Sequence, residues 1–394
     1  MTPSRRTVLR SAGAGAAGAA LTSAGAQPAQ PAHPALPPHP ARPAHPAPVW
    51  AAAGRMTVPR DEVPHLRTWM AWPSRRTVWG RGLAGVQQDI ALIARTIARF
   101  EPVVVCAADE GAAAAARARC GPTVTVVSSI PVDDLWMRDT GPVFRLGGGA
   151  VDALGLGFNG WGGKQSHRRD ATVARRVAAH TSLPFTAAAF TGEGGAVETD
   201  GDGTLIATES SLVNANRNPG LTRDEVEARV LAAYGAERMI WTPGIKGRDV
   251  TDDHIDTTSR FVRPGVVMVQ LPPAGRTDIW ARDAREQFAI LSEATDARGR
   301  RLRVIPVEGP DTLRSTNPDF VDSYLNFHVV NGAVITAGFG DAAKDPAARQ
   351  ALAAAFPGRE VVQLDVDRLM AGGGGIHCAT MQQPAPDAEA RPGA

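Results

Sequence analysis

The chain is short of cysteine, of lysine, of net charge and of long apolar runs, and each shortage excludes a class of protein. Its 394 residues hold three cysteines, Cys106, Cys120 and Cys378. Three thiols, no two at metal-site spacing, build neither a disulfide framework nor a cysteine zinc site. Lysine occurs only at Lys164, Lys246 and Lys344, so the 42 basic residues are almost all arginine. Against 40 acidic residues they leave a formal charge of +2. Without Arg5, Arg6 and Arg10, which fall in the leader described below, 39 basic residues face 40 acidic ones. That balance offers no basic surface for nucleic acid. No apolar run is long enough to cross the roughly 30 Å of a bilayer's hydrocarbon. No Gly-x-Gly-x-x-Gly opens a helix after the first strand, so a dinucleotide fingerprint is missing as well. What is present is an ordinary 43% hydrophobic content, enough for a sizeable core in one large domain or two smaller ones.

The N-terminus reads Ser4-Arg5-Arg6-Thr7-Val8-Leu9-Arg10, then an uncharged run rich in Ala and Gly that ends Ala24-Gly25-Ala26. A basic start, a modest apolar stretch and a small-x-small site are the parts of an export signal. Adjacent arginines followed by Val-Leu point to the twin-arginine type, whose cargo crosses already folded. Residues 1–26 are therefore expected to be a signal segment and the protein to be exported, with no stable membrane association once the signal is cleaved. Residues 27–54 follow as a linker, with nine prolines between positions 27 and 48. Such a segment favours extended polyproline geometry and builds no packed core. His33, His39 and His45 within it read as solvated linker rather than as a metal tract. Residues 55–384 remain as the folded domain, with 385–394 as a tail.

Within that domain, short β-branched runs alternate with helical stretches. Residues 102–106 and 123–127 read as buried strands, and Ile90, Ile93, Ile97 and Phe100 fall at helical spacing over 86–100. Thr222-Arg223-Asp224-Glu225 is a capping box opening a helix that runs to Tyr234. Strands are expected over 238–241, 261–271, 302–307 and 360–366, and helices over 283–297 and 346–356. Residues 324–330 and 333–338, joined by Asn331-Gly332, form a hairpin signal with a turn that needs positive φ. The pattern is α/β.

Four segments concentrate reactive side chains: Trp136-Met137-Arg138-Asp139-Thr140-Gly141-Pro142, Gly192-Glu193-Gly194-Gly195, Asp252-Asp253-His254-Ile255-Asp256, and Gly372 to Gly375 followed by Ile376-His377-Cys378. Singly, each has an ordinary explanation. Arg138-Asp139 reads as a surface ion pair and Glu193 as a loop carboxylate. His254 and Asp256, at i and i+2, share one face of a strand and serve equally as structure or as metal ligands. Cys378 reads as a buried small hydrophobe. Against that last reading, four glycines sacrifice backbone entropy, which makes sense where main chain must approach a ligand or take positive φ. A thiol so placed, with a His and carboxylates elsewhere, is a nucleophile candidate.

Taken together, these segments resemble the agmatine deiminase family, which includes the bacterial-type peptidylarginine deiminases. The resemblance is carried by Pro64-His65-Leu66-Arg67-Thr68-Trp69-Met70-Ala71-Trp72-Pro73, by Trp136 to Pro142, by Phe158-Asn159-Gly160-Trp161-Gly162-Gly163-Lys164, by Glu193-Gly194-Gly195, by His254-Ile255-Asp256-Thr257 and by Gly374-Gly375-Ile376-His377-Cys378. It covers Pro59 to Gln383. It implies the pentein fold, a five-bladed α/β propeller forming a single catalytic domain with its site at the centre. It implies Cys378 as nucleophile and His254 as general acid/base. Asp139 and Asp256 would grip guanidinium nitrogens, and Glu193 would complete the acidic cup and orient the attacking water. Trp136, Trp161 and Lys164 would line the pocket. No metal or other cofactor is required by that chemistry, and the partner is a small guanidino compound. Relatives usually carry Asn where this chain has Gly375, which removes an amide near the nucleophile, and many carry Glu where it has Leu66.

The chemistry suits the residue types. A guanidinium is planar, cationic and a poor electrophile, and carboxylates on two of its edges match its fork geometry while holding its carbon near the sulfur. A thiolate is intrinsically nucleophilic, and a bound cation favours its formation. Three readings stand at this point: a cysteine-dependent deiminase of agmatine, or second of an arginine side chain; a metal-dependent hydrolase using Asp252, Asp253, His254 and Asp256; and a non-catalytic guanidino-binding protein.

Overall fold

The computed structural model describes residues 54–386 except position 318. The expected signal segment, the linker as far as residue 53 and the tail from residue 387 lie outside the described residues. β1 (His65–Ala71) leads through α1 (Leu83–Ile97) into parallel β2 (Val103–Cys106), and α2 (Glu110–Cys120) leads on to parallel β3 (Val124–Val127). A simpler unit then recurs four times: two antiparallel strands, a crossover helix, and a third strand parallel to the second. The first comprises β4 (Val143–Gly147), β5 (Ala150–Gly155), α3 (Val173–His180) and β6 (Phe185–Ala187). β7 (Val197–Thr199), β8 (Thr204–Thr208), α4 (Arg223–Tyr234) and β9 (Arg238–Thr242) form the next. The third comprises β10 (Ser259–Arg263), β11 (Val266–Leu271), α5 (Ile279–Glu293) and β12 (Arg303–Glu308). The fourth comprises β13 (His328–Val330), β14 (Ala333–Ala337), α6 (Lys344–Ala355) and β15 (Glu360–Leu364).

The last strand, β16 (Thr380–Pro384), returns to pair antiparallel with β1, setting Thr380 opposite Met70 and Met381 opposite Trp69. It supplies the first sheet with the antiparallel partner that every other sheet has in its own hairpin. The ring of five blades is thereby closed, giving the five-bladed α/β propeller implied above. The first strand of each later blade is buried along nearly its whole length, whereas β6, β12 and β15 carry exposed or half-exposed residues.

Local chemistry explains these elements. Val86, Ile90, Ile93 and Ile97 bury one face of α1. At the start of α4, the Thr222 hydroxyl accepts from the Glu225 amide and the Glu225 carboxylate accepts from the Thr222 amide, so the capping box forms as expected. Three expectations shift. The run 261–271 is two strands, because Pro264-Gly265 turns the chain with Gly265 at φ +75°. α5 begins at Ile279 rather than at 283, because Asp278 accepts from the Ala281 amide at 2.9 Å and caps it there. In the expected 324–330 strand only His328–Val330 is extended, and in the turn after it Gly332 alone takes positive φ.

Candidate active site

The turn entering the first strand of each blade carries one of the reactive side chains. Asp139 lies in the turn Met137–Thr140 before β4, and Glu193 precedes the turn Gly194–Ala196 that enters β7. His254 caps the turn Ile255–Thr257 that enters β10 and Asp256 lies within it, and Cys378 stands two residues before β16. The remaining blade contributes Asn326, two residues before β13. All six are almost wholly buried. The segment is a 3₁₀ turn over Ile255–Thr257 capped by His254, and not a strand, so a turn, rather than strand alternation, brings His254 and Asp256 to one place.

The Cys378 thiol donates to Asp256 Oδ2 at 3.4 Å and its sulfur accepts from Asn326 Nδ2 at 3.2 Å. His254 Nε2 lies 3.3 Å from Glu193 Oε2, and its Nδ1 lies 3.7 Å from Asp139 Oδ1. Asp139 is fixed by the Trp161 indole at 2.9 Å and by the Gly195 amide at 3.2 Å. A Cβ on Gly195 would sit 2.9 Å from each of Asp139 Oδ1, Asp256 Oδ2 and His254 Nδ1, so these three atoms surround one point over the Gly195 main chain. Asp256 Oδ1 and His254 Nδ1 are buried with no hydrogen-bond partner among the described residues, a costly arrangement unless a ligand supplies one.

The charges reinforce one another. Burial disfavours the His254 imidazolium, yet Asp139 and Glu193, with Asp256 behind them, outweigh that penalty and hold its pKa above the ordinary value. Burial pushes Glu193 up, but Arg217 and His254 together bring it below the usual carboxylate range. For Asp256 burial again works upward and is overcome by the His377 hydrogen bond and the neighbouring cations, leaving it ionised. The other two cysteines differ. Burial drives the Cys106 thiol far up and the Cys120 thiol to about 11, so both are inert core groups.

Several expected residues find unexpected partners. Arg138-Asp139 is no surface pair: both are buried, Arg138 donates to Gln382 at 2.7 Å, and Asp139 accepts from Trp161 and Gly195. Both oxygens of Glu193 are engaged, one by His254 and the other by Arg217 Nε at 3.0 Å, so it faces the imidazole as much as any cup. Trp161 touches the site through Asp139, whereas Trp136 packs against Trp79 with ring centroids 6.0 Å apart. Lys164 Nζ sits 2.7 Å from Asp252.

That contact, with Arg217 Nη1 on the same oxygen at 2.5 Å, commits Asp252 to two cations, while Asp253 accepts from the Ile245 amide at 2.9 Å. Among the described residues no group of three or more His, Cys, Asp or Glu is arranged to hold a metal ion. Two of the four donors of the metal-hydrolase reading, Asp252 and Asp253, are thus already engaged by protein groups. The glycine run has packing causes as well: a Cβ on Gly372 would lie 2.4 Å from the Trp79 ring, and one on Gly375 2.5 Å from Asn326 Oδ1.

Three residues of the site were not assigned from the sequence. Asn326 is an amide inside an apolar run, a signal that the strand reading masked. His377, whose Nδ1 lies 2.8 Å from Asp256 Oδ2, was visible only as the neighbour of Cys378. Arg217 sits in the polar stretch Asn214–Asn218, where nothing in the sequence distinguishes it from a loop arginine.

A family model described as Porphyromonas-type peptidyl-arginine deiminase matches residues 57–384, and the chain belongs to that family. It is 40% identical over 337 residues to a Streptomyces coelicolor relative provisionally named agmatine deiminase, covering 83% of this chain and 98% of the relative. It is 38% identical over 354 residues to the agmatine deiminase of Stutzerimonas stutzeri, covering 84% and 95%. The structure of an Enterococcus faecalis agmatine deiminase, described as catalysing its reaction, superposes with a TM-score of 0.80 at 26% identity, covering 88% of this chain and 100% of that one. The fold is that of the penteins.

Proposed function

We propose that this protein is a cysteine-dependent deiminase that converts agmatine to N-carbamoylputrescine and ammonia. The observation that carries the reading is the convergence of the Cys378 thiol, the Asp139 and Asp256 carboxylates and the His254 imidazole, delivered by three blades to one buried point. A guanidinium set between Asp139 and Asp256 gains charge-assisted hydrogen bonds on two edges and presents its carbon to the sulfur. As the substrate cation binds, the thiol loses its proton to solvent, Sγ bonds to the guanidinium carbon, and a tetrahedral adduct forms. One C–N bond then breaks, and His254, kept protonated by Asp139 and Glu193, gives its proton to the departing ammonia. Water next adds to the sulfur-bound amidinium with His254 as base; the C–S bond breaks as the adduct's hydroxyl proton passes to solvent, and the carbamoyl product leaves a thiolate that takes a proton back.

The names of the relatives support agmatine over an arginine side chain. Purified protein offered agmatine, free arginine and an arginyl peptide should release ammonia fastest from agmatine, and Cys378→Ala should release none while keeping its melting profile. An active Cys378→Ala enzyme overturns the mechanism, and peptide turnover above agmatine turnover overturns the substrate. We also propose that the chain is exported folded, a reading supported by Arg5-Arg6 and the small-residue site at Ala24-Gly25-Ala26. Replacing both arginines with lysine should leave the protein in the cytoplasmic fraction, and unchanged export would refute the route.

A further inference from the structure

The fifth blade supplies a carboxamide, and its contacts give it a use. Asn326 Oδ1 accepts from the Cys378 main-chain amide at 3.3 Å, while Nδ2 donates to Cys378 Sγ at 3.2 Å and to the Asp256 carbonyl at 3.2 Å. The two ends of the amide are thereby assigned by their surroundings, since a backbone N–H and a backbone C=O accept no exchange of oxygen for nitrogen. The sulfur needs such a donor. Asp256 Oδ2, 3.4 Å from Sγ, accepts the thiol proton before reaction, but once that proton has left, the same oxygen is a like charge facing the thiolate. A donor on another side of the sulfur stabilises the anion that Asp256 opposes.

Gly375 makes this contact sterically feasible. A Cβ there would lie 2.5 Å from Asn326 Oδ1 and 3.0 Å from its Cγ, with Met370 Sδ also at 3.0 Å, so the amide has no room to give way in place. We infer that Asn326 is a catalytic residue, the hydrogen-bond donor that holds the Cys378 sulfur as a thiolate. This inference rests on the deiminase reading for the use of the thiolate, although the thiolate itself can be observed without any substrate.

The test is the ultraviolet titration of the Cys378 thiolate in full-length protein without substrate, with Cys378→Ser as the blank. Loss of one charge-assisted hydrogen bond should move the thiol pKa of Asn326→Ala upward by about one unit or more. Gly375→Ala, which leaves residue 326 unaltered but displaces its amide, should shift the titration in the same direction, and the double variant should shift it no further than Asn326→Ala alone. Agmatine turnover below the shifted pKa should fall about tenfold or more in each. A folded Asn326→Ala whose thiol titrates like the parent overturns the assignment. So do additive shifts in the double variant, and so does a Gly375→Ala that is unchanged while Asn326→Ala fails to fold. Should the titrations behave as expected while no guanidino compound is turned over by the parent, the deiminase reading falls and the role of Asn326 on the sulfur stands.

Discussion

Arg217 offers the most searching single perturbation, because its guanidinium is wholly buried between two acids that do different things. Nε holds Glu193 at 3.0 Å and Nη1 holds Asp252 at 2.5 Å, with the side chains of all three at most 1% exposed. Arg217→Met keeps the bulk and deletes the charge. Asp252 retains Lys164, the Asn216 side chain and the Gly247 amide, but Glu193 retains, among the described residues, only His254. Removing one partner of a buried pair costs about 3–5 kcal/mol, since the other is left as an uncompensated buried charge. Unfolding entropy for about 330 ordered residues is roughly 0.7 kcal/mol per kelvin near the transition, so the melting temperature should fall by about 4–7 °C. Scanning calorimetry at neutral pH measures it.

Acid changes that result in a defined direction. Glu193 has a folded pKa depressed below its ordinary 4.5, so its contribution is complete above that value and disappears as pH falls through the folded pKa. The gap between parent and Arg217→Met should accordingly close in acid. Adding Glu193→Gln to Arg217→Met should recover part of the lost stability, because no unpaired carboxylate remains, yet should not recover turnover. A loss below about 1 kcal/mol, the scale of exposed pairs, or a gap that widens in acid would refute the reasoning.

Two further outcomes follow from the same geometry. The His254 pKa is raised by Asp139 and Glu193, so ammonia release should continue above pH 6.5 and decline as pH rises through the folded value. Glu193→Gln should move that alkaline limb to lower pH in a pH–rate profile, and a limb that stays in place separates His254 from this role. Gly195→Ala places a methyl group 2.9 Å from Asp139, Asp256 and His254 at once. Steady-state kinetics should show turnover down about 100-fold, the usual scale for an ångström of misplacement, and parental activity would mean that the substrate does not use that space.

Much of this was legible before any coordinates, and unevenly so. The capping box at Thr222, the hairpin at Asn331-Gly332 and the apolar face of α1 are local signals, complete within a few residues of sequence, and they appear where they were read. Cys378, His254, Asp139, Glu193 and Asp256 could be assembled only through resemblance, because no local rule joins residues more than 200 positions apart. Arg217 illustrates the limit. Its role depends on Glu193 and Asp252, which lie on turns from two different blades, and composition carries no trace of that meeting. Asn326 failed for another reason: an apolar run with one amide satisfies a strand pattern, while the backbone at 324–327 is in fact a turn into β13.

The placement of the Cys378 thiol follows from how the ring is closed. Every other blade makes its antiparallel pair within one hairpin, but β1 must wait for β16, more than 300 residues later. Cys378 is held between that pairing and the main chain of Asp139's own turn, through the Arg138 amide on its carbonyl at 3.1 Å. Asn326 and Asp256 reach the sulfur from two other blades. The surroundings of the thiol are therefore complete only where β16 is paired with β1. Long-range pairing of this kind is entropically expensive to close. The burial of Met381 against Trp69 and Met137 in one apolar cluster offsets that cost, which ties activation of the sulfur to completion of the core.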